Sequence, residues 1–166
     1  TLERRIRVEC SEVGLMKEKI LPHLETVSVN GVIFSHEDIF RVIDDFYTRI
    51  QNDSVLRVPF KSVGDWPEHI QRLTHFWWVR FGGKPYLFNH YNPVLKHFFA
   101  GFNRELLTRW LSIFHETLQS HLTPEQATLW KLVSERMGEG LSMKNELFRR
   151  EYESREQDIR TDSGTS

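Results

Sequence analysis

The chain has 166 residues, enough for one domain with a real core. It is 39% hydrophobic and 27% charged with a net charge of −1, so no overall field favours nucleic acid or an anionic membrane. No apolar run approaches the ~20 residues of a membrane span, and a single cysteine, Cys10, can neither staple the chain nor form a CxxC metal or redox site.

The first residues, TLERRIRVEC, are too charged for a signal peptide and carry no initiator Met. A processed chain or a piece of a longer protein is expected, in a reducing, cytoplasmic location. The 12 Phe, 5 Trp and 4 Tyr call for a large interior or a cavity walled by rings.

Helical periodicity runs through nearly the whole chain. Residues 2–21 form a first helix with sparse apolar marks at Ile6, Val13, Met16 and Ile20, ended or bent by Pro22. VSVNGV, residues 27–32, contains an Asn-Gly turn signal, read as a loop between helices in preference to a short hairpin. Ser35 and Asp38 resemble a capping box. Ile39, Val42, Ile43, Phe46, Tyr47 and Ile50 then follow a strong amphipathic spacing. Pro59 forbids a long helix in the next stretch.

Asp65 and Glu68 frame a helix over Trp66–Phe81 that puts Trp66, His69, Leu73, Phe76 and Trp77 within roughly 100° of arc. His75 points the other way. GGKP, residues 82–85, is a break, and the stretch up to residue 102 carries only a short helix around 93–98. From Asn103 a helix runs to His121, with Leu106, Trp110, Ile113, Phe114 and Thr117 on one face. Thr123, Pro124 and Gln126 start the last helix, whose stripe is Leu129, Val133, Met137 and Leu141. Lys144 to Arg160 is mostly charged, and its Leu147, Phe148, Tyr152 and Ile159 are too thinly spaced for a coiled coil.

Three aromatic residues with polar handles lie on apolar stripes of three helices: Tyr47, His69 and Trp110. Each handle needs a partner when buried, and a shared polar ligand would serve all three. NHYNPVLKHFF, residues 89–99, raises a related question. His97 there is a surface residue, a core ring with a satisfied nitrogen, or a ligand. His23, His36, His75, His115 and His121 read as solvated or helix-capping, and no HExxH zinc motif occurs.

Over about residues 36–142 the chain resembles the truncated haemoglobins, the two-over-two globins, and their third group most. The resemblance lies in the order and spacing of DDFYTRI, VPF, WPEHIQRLTHFWW, NPVLKH and LLTRWLSIFHETL. It implies an all-α, globin-like two-over-two sandwich, with an extra helical extension over 1–35 and a charged helix and tail over 143–166. It implies haem b, with His97 as the metal ligand and His90 as its rival. Tyr47, His69, Leu73 and Trp110 are then the ligand-binding distal pocket, and Phe46, Phe60, Trp77, Phe98 and Phe114 touch the haem. Leu95, Phe99 and Phe102 would complete a dry wall near His97. Arg72, Arg80 and Lys84 are candidates to pair with the haem propionates.

The implied function is binding of dioxygen, nitric oxide or carbon monoxide, for sensing, storage or redox detoxification. Nitric oxide dioxygenation or peroxide chemistry would need an external reductase, because no flavin or nicotinamide motif is present. The terminal extensions read as trimming or packing extras, or else as a homodimer interface or a linker to an output module. No nucleic-acid or membrane partner is expected. The alternative from another class is a globin-like interaction module without haem.

Overall fold

The structure, a computed structural model, describes residues 25–87 and 103–162. The expected helices over 2–21 and 93–98 lie outside the described residues, as do Cys10, His23, His90, Leu95, His97, Phe98, Phe99 and Phe102. The described elements are β1 (Thr26–Val29), β2 (Val32–Ser35), α1 (His36–Asn52), α2 (Trp66–Arg80), α3 (Arg104–His121) and α4 (Pro124–Asp162). None of these helices is long and apolar enough to cross a membrane.

The strands are an addition to the helical plan, standing where the sequence reading favours a loop. Asn30 and Gly31 take φ values of 50° and 81°. Two successive positive φ angles make the tight turn that suits right-twisted antiparallel strands. Val27 pairs with Phe34 and Val29 with Val32. Phe34 is fully buried, stacked on Phe81 at 4.9 Å and edge-on to Trp130 at 5.8 Å. The hairpin thus closes onto the same core as the helices.

Helix α1 starts as its sequence dictates. Ser35 Oγ accepts the Asp38 N–H, and the Asp38 carboxylate accepts the Ser35 N–H, both at 3.0 Å. Ile39, Val42, Ile43, Phe46, Tyr47 and Ile50 are all buried. In α2 the expected single face divides in two. Ile70, Leu73, Thr74, Trp77 and Trp78 are buried, whereas Trp66, His69 and Phe76 are half-buried. Asp65 accepts the Glu68 N–H at 3.1 Å, which places the start of α2 and hence both faces.

Helices α3 and α4 turn their cores slightly away from the expected stripes. Leu107, Phe114, Thr117 and Leu118 are the buried residues of α3, while Leu106, Trp110 and Ile113 are half-buried. On α4 the inner line is Ala127, Trp130, Ser134 and Gly138, flanked by half-buried Leu129, Val133, Met137 and Leu141. Small residues let α4 approach α3 closely. A Cβ at Gly138 would come within 2.9 Å of Leu107 Cδ1. Past Leu141 the helix continues to Asp162 with Met143, Leu147, Tyr152 and Ile159 exposed.

Helix α1 packs on α2 and on α3, and α3 packs on α4, so two helix pairs meet through α1 and α3. Their joint core is a cluster of rings, with Trp130 touching Phe34, Trp77, Phe81 and Phe114. Phe34→Ala should cost about 3–5 kcal/mol of stability in urea denaturation. A loss below about 1 kcal/mol would mean that the hairpin is peripheral.

Candidate functional site

Phe46 and Tyr47 are neighbours on α1, about 100° apart around its axis, and both are buried. They therefore face different partners. Phe46 meets α3: its ring lies edge-on to Trp110 at 4.9 Å and to Phe114 at 4.8 Å. Tyr47 meets the start of α2. Its ring is perpendicular to that of His69 at 5.5 Å and lies 6.0 Å from Trp66 and 5.9 Å from Phe60. Phe46 and Tyr47 touch each other edge-on at 4.8 Å, so the rings form one continuous path from His69 to Trp110.

Phe60 reaches this group from the turns over 54–62, which Leu56 anchors in the core. Leu73 is buried one turn beyond His69 on α2. Trp77, a further turn on, stacks on Phe114 at 6.0 Å and also packs against Phe81 and Trp130. Trp66 is a member of the group that sequence reasoning left out of the site. Its ring is edge-on to His69 at 5.4 Å. The i, i+3 spacing of Trp66 and His69 was the available signal.

Two indole N–H groups are buried with no hydrogen-bond acceptor among the described residues, those of Trp110 and Trp130. They differ in position. Trp130 is fully enclosed by core rings, whose faces are weak acceptors. Trp110 is half-buried at the border of the ring path, stacked on Phe114 at 5.0 Å. An indole nitrogen can only donate. At Trp110 the N–H therefore stands without an acceptor among the described residues.

The other face of α2 carries a cleft of about 280 Å³ lined by Arg72, His75, Phe76, Val79, Arg80, Pro85 and Leu87. Arg72 is tied to Glu68 at 2.5 Å. Lys84 serves mainly through its backbone, accepting the Trp78 indole N–H at 3.1 Å. Two histidines expected to be solvated or capping are engaged here. His36 is buried and lies 2.6 Å from the Tyr86 hydroxyl. His75 is half-buried and accepts backbone N–H groups of Tyr86 and Leu87. Burial pushes the Tyr86 phenol up to about 12, so it is an O–H donor at neutral pH. His121 sits 2.7 Å from Asp45 and His115 3.8 Å from Glu135.

A model of the bacterial-like globin family matches residues 31–138. The chain belongs to the bacterial-like globins. Its fold is similar to that in the crystal structure of a group III truncated haemoglobin from Campylobacter jejuni, with a TM-score of 0.60 and 21% identity over 66% of this chain and 89% of that one. No curated protein matches the chain. In this globin the matched residues begin at the hairpin turn and end at Gly138, so the exposed part of α4 lies beyond them.

The globin's ring path needs α1 and α3 in fixed register, and one ion pair beside Trp110 supports that register. Asp53, just past α1, accepts the N–H groups of Val55 and Leu56 at 3.0 and 2.9 Å. It also accepts from Arg109 Nε at 2.9 Å and from Nη2 at 2.7 Å. The Arg109 bonds hold the Asp53 carboxyl down at about 2, below its ordinary 3.8. A carboxyl depressed by folding stabilises the fold above its unfolded value and ceases to do so as pH falls through the folded one. Stability should therefore decline between pH 3.8 and about 2. Asp53→Asn should be less stable at neutral pH and lack that part of the acid transition in denaturant titrations.

Proposed function

We propose that this globin binds haem b and takes a diatomic gas, dioxygen, nitric oxide or carbon monoxide, in the pocket walled by the ring path. The observation that carries the reading is the convergence of Tyr47, His69 and Trp110, from three helices, along one run of rings. Membership of the bacterial-like globins supports the cofactor. If bound, haem would supply an iron able to take an imidazole and a gas molecule as ligands.

His97 is the residue proposed to ligate the metal, with Phe98 beside it. Leu73, Phe46, Phe60, Trp77 and Phe114 are proposed to exclude water from the apolar part of the site. Tyr47 and Trp110 donate hydrogen bonds, and His69 contributes a ring nitrogen, to a ligand that gathers negative charge. Such donors, fixed in advance by packing, slow release of the ligand without reorganising as it binds. Arg72 and Arg80, which share one cleft, are the proposed partners for the haem carboxylates. A cytoplasmic location is the reading that a single cysteine favours.

The exposed Met143, Leu147, Tyr152 and Ile159 on α4 favour a second reading. In it the helix joins a second copy or an output module, and gas binding is sensed and not merely stored. Nitric oxide turnover with an external reductant would instead mark an enzyme.

His97→Ala should lose haem or lose the absorption spectrum of a His-ligated site. An unchanged spectrum would mean that another residue holds the metal. Tyr47→Phe should speed dioxygen release by about 10- to 150-fold, the loss of a charge-assisted hydrogen bond of roughly 1.5–3 kcal/mol. Stopped-flow or flash-photolysis rates equal to those of the native chain would remove Tyr47 from the mechanism.

A further inference from the structure

Residues 84–87, which follow the turn at Gly82 and Gly83, are held against α2 by the Trp78 indole at the Lys84 carbonyl and, further on, by one imidazole ring. His75 Nε2 accepts the backbone N–H of Tyr86 at 3.0 Å and that of Leu87 at 3.2 Å. A ring nitrogen that accepts two N–H groups carries no proton of its own, so the neutral ring is the Nδ1–H tautomer. The Tyr86 ring also lies edge-on to that of His75 at 4.6 Å, and its hydroxyl bonds His36 at the start of α1. Pro85 and Leu87 thereby form one wall of the cleft whose floor is Phe76 and Val79.

We propose that His75 is a pH-operated latch. When Nε2 takes a proton it turns from acceptor to donor, the Tyr86 and Leu87 amides lose their partner, and the Pro85–Leu87 wall leaves α2. The anchors then left are the Trp78 indole at the Lys84 carbonyl and the Tyr86 hydroxyl at His36. This device goes beyond gas binding, although haem carboxylates paired with Arg72 and Arg80 would share its cleft.

The surroundings of His75 favour release over accommodation of an imidazolium. Arg72 and Arg80, from α2 itself, line the same cleft and carry the same sign of charge. Glu68, the carboxylate nearest to hand on α2, is bonded to Arg72. From the loop come Lys84 and the neutral Tyr86 phenol, and from α1 comes His36, itself an imidazole. None of these groups offers a negative charge to a protonated ring. Burial adds to this, pushing His75 below its ordinary 6.5. With the folded value below the unfolded one, the latch contributes fully above 6.5 and is lost as pH falls through the lower value.

Amide hydrogen exchange on the full chain, followed by NMR from about pH 8 to pH 5, tests the latch. After correction for the intrinsic pH trend, protection of the Tyr86 and Leu87 amides should fall roughly tenfold or more, with a midpoint below the ordinary histidine value. Amides of Val42 and Ile43 in α1 should stay protected throughout. Ring nitrogen shifts should report an unprotonated Nε2 at neutral pH and a His75 titration with the same midpoint. His75→Gln, whose amide oxygen accepts at any pH, should keep the protection across the range, and His75→Phe should lack it at every pH. The latch is refuted if both amides stay protected in acid, if they open only together with α1, or if Nε2 is protonated at neutral pH. A His75→Gln chain with the native midpoint refutes it too.

Discussion

Everything at the site hangs from Phe46. It is fully buried and meets three rings edge-on within 5 Å: Tyr47 beside it, and Trp110 and Phe114 on α3. That contact sets how α1 and α3 face each other. Tyr47 follows Phe46 by one residue, so the helical screw alone carries its phenol round towards α2 and His69. Burial of one ring therefore aims the polar tip of the next. Edge-on ring pairs resist sliding more than aliphatic contacts do, because the ring quadrupoles prefer particular angles. The polar tips are thus presented on walls that do not have to rearrange.

The same core ties the polar-tipped rings to an apolar centre. Phe34, Trp77, Phe81, Phe114 and Trp130 fill the centre with apolar surface. Tyr47, His69 and Trp110 join that mass through ring contacts, Tyr47 buried and the other two half-buried. Asp53 and Arg109 brace the arrangement from outside, where their pairing is accessible to water and to acid. The proposed binding of a small electron-rich ligand would ask for an apolar wall together with fixed donors.

Much of this was legible in the sequence because it is local. The capping box at Ser35 and the six buried positions of α1 follow from spacing alone. The members of the ring path were recognisable as well, except Trp66, which is half-buried and sits in the first turn of its helix. The α4 stripe was misread by one position. Its inner line runs through Ala127, Ser134 and Gly138, whose smallness marks close approach and not hydrophobicity, and Trp130 was hidden among them. The Asn-Gly pair signalled a hairpin, but two four-residue strands give little alternation to support it. His36 and His75 looked bland because Tyr86, their common partner, lies 50 and 11 residues away, and no periodicity links a loop to two helices.

The central claim is that the ring path borders a haem. The most direct measurement is a titration of haemin into the purified chain, followed at once by Soret absorbance and by tryptophan fluorescence. Saturable growth of a Soret band with one haem per chain is predicted, together with strong quenching of emission, since Trp66, Trp77 and Trp110 stand along the proposed wall. A chain that leaves the haemin spectrum unchanged, with its tryptophan emission unaltered, would contradict the account.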